Sequence, residues 1–403
     1  LVIRMGPTGL CAMNIKGATI HSTFSLTVQK RTGSRLLANL DPDKREALSR
    51  VLKDVKLFII DEASMVGDEM FACLNKRMNE IWPIDPRVID NESIPDNFKT
   101  FGAKPLLICG DLFQLEPVKQ RYIFNILSKR NANAILGHTG TEDFWPQFMA
   151  QYYELTEQVR QKDPVFRDLL NKVRLACLNT NDIDLCMSRM IPGIDDFKEF
   201  SEEWFGHLAV FYQKLALTDP QTLCIFGRRK QVQQFNDKML KIEKIDVCAI
   251  KAKDEFGGKK VTKVTKKTDD DDDSRETGGF ETSLRIGVGA KVMLIRNISA
   301  NDGLVNGAIG IVTDIGKNAQ NVVENIKIKF PWLETETVIE KRETDYEYMQ
   351  GFIATRTQFP LTLAYAITAH KSQGLTANTV IVHAGDGNHS TGQIYVALSR
   401  CTE

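Results

Sequence analysis

Residues 57–62 read Leu-Phe-Ile-Ile-Asp-Glu, and this stretch decides the fold. Four consecutive apolar residues predict a strand buried on both faces, which is typical of a parallel sheet covered by helices. The strand ends in two adjacent carboxylates, and ligands of open α/β sheets bind at this end of the strands. Strands also end in Asp or Glu simply because the chain reaches water there, so the stretch alone leaves both interpretations open.

A second buried strand is predicted within residues 105–118, where an apolar run ends in Gly-Asp at 110–111 and Gln114 follows. Parallel strands present their carboxyl ends to one crevice, so we expect both acidic tips to lie together. Asp61 would bind Mg²⁺, directly or through water, and Glu62 would polarise an attacking water. Gln114 has the amide needed to sense a γ-phosphate or to orient that water. An ordinary strand and turn is the alternative, and the combination favours a nucleotide-hydrolysing site.

Six short motifs give the chain a family resemblance. They are residues 5–9 with 19–22, 61–62, 110–118, 155–157 with 160–161, 366–376 and 395–400. The chain resembles the superfamily 1 DNA helicases, most closely the petite-integration-frequency (PIF) family and its RecD-like relatives. Each motif alone is a weak signal, but six in the family's order along the whole chain are specific. One departure is Gly6, which stands where the family usually has Ala.

The resemblance implies an ATP-dependent DNA helicase that unwinds duplex DNA and moves 5′ to 3′ on a single strand. ATP would be its substrate, Mg²⁺ its cofactor, and single-stranded and forked DNA its partners. Roles in DNA repair, DNA recombination and telomere maintenance are implied in the same way. Such an enzyme would share its chemistry across a cleft between two motor domains, with Arg400 as the leading arginine finger and Arg160 as the second. A surface salt bridge is the alternative role for each arginine.

The resemblance also implies further binding residues. Gly110, Asp111 and Gly374 would contact the nucleotide. Contacts to DNA are expected on the face away from the nucleotide, from Pro7, Thr8, Gly9, His21, Thr368, His370, Lys371, Ser372 and Gln373. Their hydroxyl, amide and main-chain groups suit phosphate oxygens, and Lys371 adds charge. A purely structural histidine is the alternative for His21 and His370. Phe24 and Phe113 have the rings to stack on bases, although core packing is favoured for both.

The family's phosphate-binding loop, Gly-x-x-x-x-Gly-Lys-Thr, does not occur in this sequence. The stretch from Gly310 to Lys317 has one residue too many between its glycines and lacks the Ser or Thr. The Gly-Gly-Lys at 257–259 has no upstream glycine in register. The chain starts almost at the first motif, so we expect a fragment of a longer helicase that is inactive by itself. A lineage that has lost the loop is the alternative.

Composition is that of a globular enzyme. The 403 residues suffice for two or three domains, and 52 basic residues balance 52 acidic ones, so a nucleic-acid binder here needs a local basic track. The eight cysteines show neither CxxC pairs nor zinc-site spacing, which predicts buried thiols in a reducing compartment. No apolar run reaches membrane length, so we expect no membrane contact. We also expect an intracellular protein, in the nucleus or a mitochondrion if eukaryotic, that acts as a monomer.

The predicted fold class is α/β, with two RecA-like parallel-sheet motor domains and a small β-barrel inserted in the second. The first domain covers residues 1–155 and ends with a predicted strand over 148–155, which leads to the fourth motif. A helix is predicted over 163–178, after that motif. The second begins over 156–283 with a strand at 222–226 and a helix at 228–244, then a charged, mobile loop at 251–283. The barrel occupies 284–358, where Val, Ile and Gly are dense and Asn-Gly turns recur. Residues 359–403 complete the second motor domain.

Three functional hypotheses remain open on the sequence alone. The first is a DNA helicase, for which Glu62 should be needed for ATP turnover. The second is an RNA-directed helicase of the same superfamily, and the residues 370–374 favour DNA without excluding RNA. The third is a passive nucleic-acid-binding protein, whose binding should depend on salt and be indifferent to ATP.

Overall fold

A computed structural model describes the chain except residues 27–36, 38, 90, 92, 94–98, 118–119, 138–141, 150, 257–258, 261–278, 350–351, 386–391 and 403. The described part forms two compact units, Leu1–Gln158 and Val159–Glu403. Three features of the sequence lie outside the described residues. They are Val118 of the third motif, the lysines at 263, 266 and 267, and the aspartate run at 269–273.

The first unit is built on a parallel sheet with the strand order β2-β1-β3-β4. Its strands are β1 (Val2–Gly6), β2 (Ala18–Thr19), β3 (Leu57–Ile60) and β4 (Leu106–Ile108). Its helices are α1 (Gly9–Asn14), α2 (Ile20–Thr23), α3 (Pro42–Leu52), α4 (Asp68–Ile81), α5 (Pro86–Ile89), α6 (Lys129–Leu136) and α7 (Pro146–Met149). Strand β3, predicted from its four apolar residues, lies inside this sheet between β1 and β4.

The core of the first unit packs helix α4 against the sheet. Phe58 and Ile60 of β3 are fully buried, and so are Leu74 and Met78 of α4. The apolar residues of α4 recur three and four positions apart, so they form one stripe that faces the strands. Because β3 is anchored on its buried face, the position of the two carboxylates that follow it is fixed by the core.

The prediction of a strand over residues 148–155 is wrong. The chain there leaves α7 and runs on without regular structure, and Tyr153 and Leu155 are 86% and 96% exposed. A β-prone sequence forms a strand only where a neighbouring strand offers hydrogen bonds. None of the described strands pairs with this segment, so its pattern of Tyr, Leu and Val stays unpaired.

The second unit combines a parallel sheet with antiparallel ones. The parallel sheet has the order β17-β5-β18, and it contains the predicted strand at 222–226. Its strands are β5 (Leu223–Phe226), β17 (Ala366–Thr368) and β18 (Val380–Val382). The helices are α8 (Pro164–Arg174), α9 (Thr180–Met187), α10 (Glu202–Thr218), α11 (Arg229–Ile242), α12 (Ala369–Ser372) and α13 (Gln393–Leu398).

The antiparallel strands form three sheets, with the orders β13-β12-β11-β10-β16, β14-β15-β7-β8 and β6-β9. They are β6 (Cys248–Lys251), β7 (Lys253–Phe256), β8 (Lys259–Lys260), β9 (Ser283–Ile286), β10 (Lys291–Leu294), β11 (Ile309–Lys317), β12 (Val323–Lys329), β13 (Thr337–Glu340), β14 (Arg342–Met349), β15 (Phe352–Gln358) and β16 (Leu361–Leu363). The α/β class with a β-rich insertion is confirmed. The antiparallel part is wider than 284–358, because it starts at β6 and includes β16.

The prediction of a mobile loop over 251–283 is wrong for residues 253–256, which form strand β7 beside β15. Arg356 of β15 is fully buried and binds Asp254 of β7 through two nitrogens, with Nε–Oδ1 at 2.7 Å and Nη2–Oδ2 at 2.9 Å. A two-pronged contact of this kind holds a charged strand in the core without apolar alternation. The sequence signal for a strand was therefore absent.

Helix α8 differs in part from its predicted stripe. Leu169 and Leu170 are buried as expected, but Val165 is exposed. Asp163 caps the helix, since its carboxylate accepts the backbone N–H of Val165 at 2.8 Å, and this cap turns the first residue of the stripe outward. None of the helices among the described residues is long and apolar enough to cross a membrane.

Candidate functional site

The carboxyl ends of β1, β3 and β4 meet at one edge of the first unit. The backbone N–H of Asp61 donates to the Met5 carbonyl at 2.9 Å, and the N–H of Cys109 donates to the Ile60 carbonyl at 2.7 Å. The N–H of Ala63 donates to the Cys109 carbonyl at 3.0 Å. The residues that follow the three strands, including Glu62 and Gly110, are therefore neighbours, as the sequence predicted.

Glu62 has a left-handed backbone, with φ 57° and ψ 52°. This conformation is rare for residues other than glycine and costs about 1–3 kcal/mol, and such strain is concentrated at functional sites. It turns the chain from β3 into a short 3₁₀ helix (Ala63–Met65), whose first hydrogen bond runs from the Met65 N–H to the Glu62 carbonyl at 3.0 Å. The turn keeps the Glu62 side chain at the edge of the sheet, half-buried.

Gly110 passes very close to the chain that leaves β3. It has φ 155°, and a Cβ placed on it would lie 2.5 Å from the Ala63 nitrogen. Only glycine fits this approach without moving the backbone. After it, the Asp111 carboxylate accepts the Phe113 N–H at 3.1 Å, and the Gln114 N–H donates to the Asp111 carbonyl at 3.1 Å. Asp111 thus shapes the turn that carries Gln114.

The pKa values of two cysteine thiols reflect the burial and the negative charge at this edge. Burial raises the pKa of Cys11 to about 11; a hydrogen bond from Thr8 opposes this shift, and the carboxylates of Glu62 and Asp61 add to it. Burial and the charge of Asp61 also raise the pKa of Cys109. Both thiols are therefore protonated at neutral pH, and both carboxylates act on the same small volume. Such a volume favours a bound cation.

The residues at this edge fit Mg²⁺ better than a metal held by the protein alone. The Asp61 carboxylate is half-buried and takes part in no ion pair within the described part of the chain. In the same part no group of three or more His, Cys, Asp or Glu side chains is placed to hold a metal. Mg²⁺ is typically bound by one or two carboxylates, with water and nucleotide phosphates as its other ligands.

The turn of residues 7–9, predicted to contact DNA, lies at the same edge. It directly follows β1, so it lies at the carboxyl edge of the sheet, and its contact with DNA stays a prediction. The Thr8 hydroxyl accepts the Cys11 N–H at 3.3 Å and donates to Cys11 Sγ at 2.9 Å. This hydroxyl caps α1, while Pro7 and Gly9 beside it are half-buried.

The other candidates of the first unit have distinct environments. His21 lies half-buried in α2, and burial lowers its pKa below the ordinary value, so the imidazole is neutral at pH 7. Phe24 is fully buried in the core. Phe113 is 49% exposed, so the favoured prediction of core packing is wrong for this ring. Its position in the turn before Gln114 carries it outward.

In the second unit the predicted DNA-contact residues follow β17. Thr368 caps α12, since its hydroxyl accepts the Lys371 N–H at 3.4 Å, and Thr368, His370 and Lys371 all have access to solvent. Ser372, also predicted to contact DNA, is fully buried and donates its hydroxyl to the Ala369 carbonyl at 2.8 Å.

The side chain of Gln373 is buried too, and the DNA contacts of Ser372 and Gln373 stay predictions. The short helix α12 turns Ser372 and Gln373 inward and leaves Lys371 on the outside. Gly374, the predicted nucleotide contact, follows directly and is half-buried. One turn thus divides the motif into accessible and buried halves.

Lys371 has a basic neighbour that the sequence reasoning missed. Although Lys371 is solvent-exposed, the protein mass around its ammonium group lowers its pKa, and the charge of Arg229 lowers it further, while Glu281 opposes both. Arg229 opens α11 directly after strand β5, which pairs with β17. The run Arg-Arg-Lys at 228–230 after a buried strand was the available signal, because residues in that position reach the carboxyl edge.

The two arginine-finger candidates differ in solvent exposure and in how firmly hydrogen bonds hold their side chains. Arg400 is only 2% exposed, and its nitrogens donate to the Val396 carbonyl at 2.8 Å and to Ser399 Oγ at 2.7 Å. Arg160 is exposed, and its Nη1 donates to the Ser399 carbonyl over a long distance of 3.4 Å. Arg160 is therefore the more exposed and less firmly held of the two side chains, and the arginine-finger role stays a prediction for both.

Two family models match the chain. The model described as PIF1-like helicase matches residues 1–180, and that of the DNA helicase Pif1 2B domain matches residues 278–315. The chain is similar to the PIF1-like helicases over these residues. The second match falls on β9, β10 and the start of β11, in the antiparallel part of the second unit. The predicted family is confirmed.

Relatives match this PIF1-like chain from end to end. The ATP-dependent DNA helicase Pif1 of Campylobacter jejuni is 28% identical, and the match covers 100% of this chain and 80% of the relative. PIF7 of Trypanosoma brucei and human PIF1 are each 26% identical over 98% of this chain, which spans 40% and 51% of their lengths. The chain therefore spans about half the length, or less, of these eukaryotic relatives.

Solved structures of Pif1 helicases share the fold. Pif1 from Bacteroides in complex with ADP-AlF3 and ssDNA has a TM-score of 0.65 at 25% identity, covering 100% of this chain and 80% of that one. Pif1 from Candida albicans has a TM-score of 0.63 at 25% identity, covering 100% and 82%. The predicted fold class of two RecA-like parallel-sheet domains with a β insertion is confirmed.

Proposed function

We propose that this chain is the motor body of an ATP-dependent DNA helicase, which moves 5′ to 3′ along a single strand and separates the duplex ahead of it. The observation that carries the proposal is the meeting of Asp61 and Glu62 with Gly110 and Gln114 at one sheet edge. Relatives matched over nearly the whole chain are named ATP-dependent DNA helicases, and solved Pif1 structures hold ADP-AlF3, ssDNA or forked dsDNA.

The acidic edge has a division of roles. Asp61 would hold Mg²⁺, which when bound neutralises charge on the β- and γ-phosphate oxygens. The Glu62 carboxylate would accept a hydrogen bond from the attacking water and polarise it. Gln114 would orient that water or contact the γ-phosphate with its amide, while Gly110 and Asp111 hold the turn that presents it. In each role the residue positions or charges the reacting groups and forms no covalent bond.

Charge that develops on the transferred phosphoryl group needs cations. Arg160 is the first candidate, because it is exposed and loosely held. Arg400 would have to give up its bonds to the Val396 carbonyl and Ser399 before reaching a phosphate. We therefore assign Arg160 the direct contact. Arg400 would hold the end of α13 in place, and Gly374 stays a proposed nucleotide contact.

The strand would be held mainly by hydrogen-bonding groups and a few charges. Lys371 and Arg229 supply positive charge at the carboxyl edge of the second unit's parallel sheet. His370 and Thr368 supply donors beside them, and main-chain groups of residues 7–9, with neutral His21, supply donors in the first unit. Contacts of this kind are made to phosphate and sugar, so they would be independent of base sequence.

The test is ATP hydrolysis by the protein expressed from its complete reading frame. With Mg²⁺ and single-stranded DNA, Glu62→Gln should retain nucleotide binding and lose turnover by about a hundredfold or more. Glu46→Gln on α3, an exposed residue away from the edge, serves as the matched control and should change nothing. Normal turnover by Glu62→Gln would show that the role given to Glu62 is wrong.

The same assay separates the alternatives. Stimulation by RNA and not by DNA would replace the proposal with an RNA-directed helicase. Strand binding that depends on salt but not on ATP, without turnover, would identify a passive binder. Forked substrates with a 5′ or a 3′ tail then give the direction of movement, and unwinding only from the 3′ tail would contradict the proposed polarity.

A further inference from the structure

An exposed stack of aromatic rings lies in the segment between the turn of Gln114 and helix α6. The rings of Tyr122 and Phe124 are parallel, with centroids 5.0 Å apart and 10° between their planes. The Trp145 ring meets Phe124 edge-on at 6.3 Å. Phe124 is 38% exposed and Ile126 53%. A contiguous exposed patch of aromatic and aliphatic side chains marks a binding surface more often than isolated exposed residues do.

This segment is clamped to the start of helix α4. The Asp68 N–H donates to the Arg121 carbonyl at 3.1 Å, and residues 67 and 122 form a β-bridge. The buried Asp68 carboxylate accepts Arg121 Nη2 at 2.6 Å and Nε at 3.0 Å. The stack is therefore held before any ligand arrives, so little conformational entropy would be lost on binding.

The charges around the stack favour a particular orientation of a ligand. Lys129 and Arg130 are exposed and open α6, five and six residues after Phe124. Burial and then the charge of Glu116 raise the pKa of Tyr122, so a carboxylate lies near that ring. A phosphate would be repelled at Tyr122 and attracted by the two cations, whereas an uncharged base can lie on the rings.

We propose that Tyr122 and Phe124 form a platform on which an unpaired base of single-stranded DNA stacks, with Lys129 and Arg130 holding the phosphates that follow. Aromatic rings beside basic side chains are how sequence-tolerant single-strand binding is built. The inference rests on the proposed function for the kind of ligand. It adds a contact site that lies outside every motif named from the sequence.

Photo-crosslinking shows directly whether a base lies on these rings. Oligothymidine carrying one 5-iododeoxyuridine is bound to the protein, irradiated, and the adducts are mapped by mass spectrometry. We expect adducts on Tyr122 or Phe124. Adducts confined to other aromatic residues, in a protein that does bind the strand, would overturn the platform and leave the proposed function standing.

Affinity measurements give the energetic test. Loss of one base stack is worth about 1–3 kcal/mol, so Tyr122→Ala and Phe124→Ala should each weaken oligothymidine binding by about five- to a hundredfold. Tyr122→Phe keeps the ring and should bind like the unaltered protein. Tyr153→Ala is the matched control, since it removes an exposed tyrosine from the same unit outside the stack. Equal affinity of the control and the two platform variants would overturn the proposal.

An abasic strand separates base stacking from a general loss of structure. An oligothymidine with an abasic site at the crosslinked position should bind the unaltered protein more weakly, by a factor similar to that of Tyr122→Ala. The same strand should bind Tyr122→Ala no more weakly than intact oligothymidine does. If both proteins lose the same factor, the base does not lie on Tyr122. If the unaltered protein binds no DNA strand at all, the proposed function fails together with the platform.

Discussion

The two units each contain a parallel sheet, and the carboxyl edges of these sheets carry opposite charge. In the first unit, β3 ends in Asp61 and Glu62; burial raises the pKa of the nearby Cys11 thiol, and these two charges raise it further. In the second, β5 leads into Arg229 and β17 into Lys371; burial lowers the pKa of Lys371, and the charge of Arg229 lowers it further. Each unit therefore has a parallel sheet with a carboxyl edge at which side chains can bind a ligand. The residues at the strand tips decide whether it suits a cation or a phosphate.

The largest expected effect comes from neutralising the acidic edge. Asp61→Asn keeps the size of the side chain and removes the charge proposed to hold Mg²⁺, so ATP turnover should fall by about 10²- to 10⁴-fold. Asp111→Asn is the matched control, because Asn retains the oxygen that accepts the Phe113 N–H, and it should cost tenfold at most. Steady-state ATPase rates over a range of Mg²⁺ concentrations measure both.

The next effect concerns the backbone of the same edge. Gly110→Ala forces a Cβ to within 2.5 Å of the Ala63 nitrogen at φ 155°, so the free energy of unfolding should fall by more than about 2 kcal/mol. Gly137→Ala serves as control, since it also has positive φ, at 82°, but open space around its Cβ. It should cost about 1 kcal/mol, and chemical denaturation compares the two. Equal losses would mean that the close approach at Gly110 is unimportant.

Removing either cation of the basic edge should weaken the binding of single-stranded DNA. Lys371→Ala and Arg229→Ala should each weaken single-strand binding by about tenfold and reduce the slope of log affinity against log salt by about one. Lys327→Ala, on β12 and paired with Asp314 at 3.0 Å, is the control. Anisotropy titrations at several salt concentrations make the comparison. An unchanged salt slope in Lys371→Ala would remove this lysine from the phosphate contacts.

The basic edge should also respond to pH. Since its surroundings lower the pKa of Lys371, this side chain loses its proton at a lower pH than an ordinary lysine. Its contribution to DNA binding should decline as the pH rises, starting before ordinary lysines titrate. Affinities of the unaltered protein and Lys371→Ala should therefore converge with rising pH. A constant ratio up to the ordinary lysine range would contradict the direction of this shift.

The smallest effect is a gain in stability. Glu62→Gly removes a side chain from a left-handed backbone, which lowers the strain energy of the folded protein by about 1–2 kcal/mol. Glycine also raises the conformational entropy of the unfolded chain, and this offsets part of the gain. The free energy of unfolding should rise by up to about 1 kcal/mol while turnover is lost. Chemical denaturation beside the ATPase assay shows both changes. A clear loss of stability would mean that the left-handed backbone at Glu62 does not strain the folded protein.

The sequence predicted those parts of the fold in which a local pattern and the final environment agree. The apolar run 57–60 became an inner strand because its pattern describes a buried strand in any context. The two acidic tips came together because parallel strands share one edge. The family motifs added the fold class and the order of the units, which neither composition nor periodicity specifies.

The rest depended on partners far along the chain. Strand β7 has no apolar alternation and is held by Arg356, 102 residues away from Asp254. Residues 152–155 have a strand pattern and no strand beside them in the described part of the chain. The burial of Ser372 and the exposure of Phe113 follow from the direction of single turns. Patterns of residue type do not encode these directions, so the sequence did not predict the environment of either residue.

The most direct test of the opposite edges is one assay with two variants of the protein expressed from its complete reading frame. DNA-stimulated ATP turnover and single-strand affinity are measured together for Glu62→Gln and Lys371→Ala. We expect Glu62→Gln to lose turnover and keep its DNA affinity within about twofold, and Lys371→Ala to lose affinity but keep turnover at saturating DNA. If both variants lose both properties, or if the losses are exchanged, the two edges do not have the separate roles assigned to them.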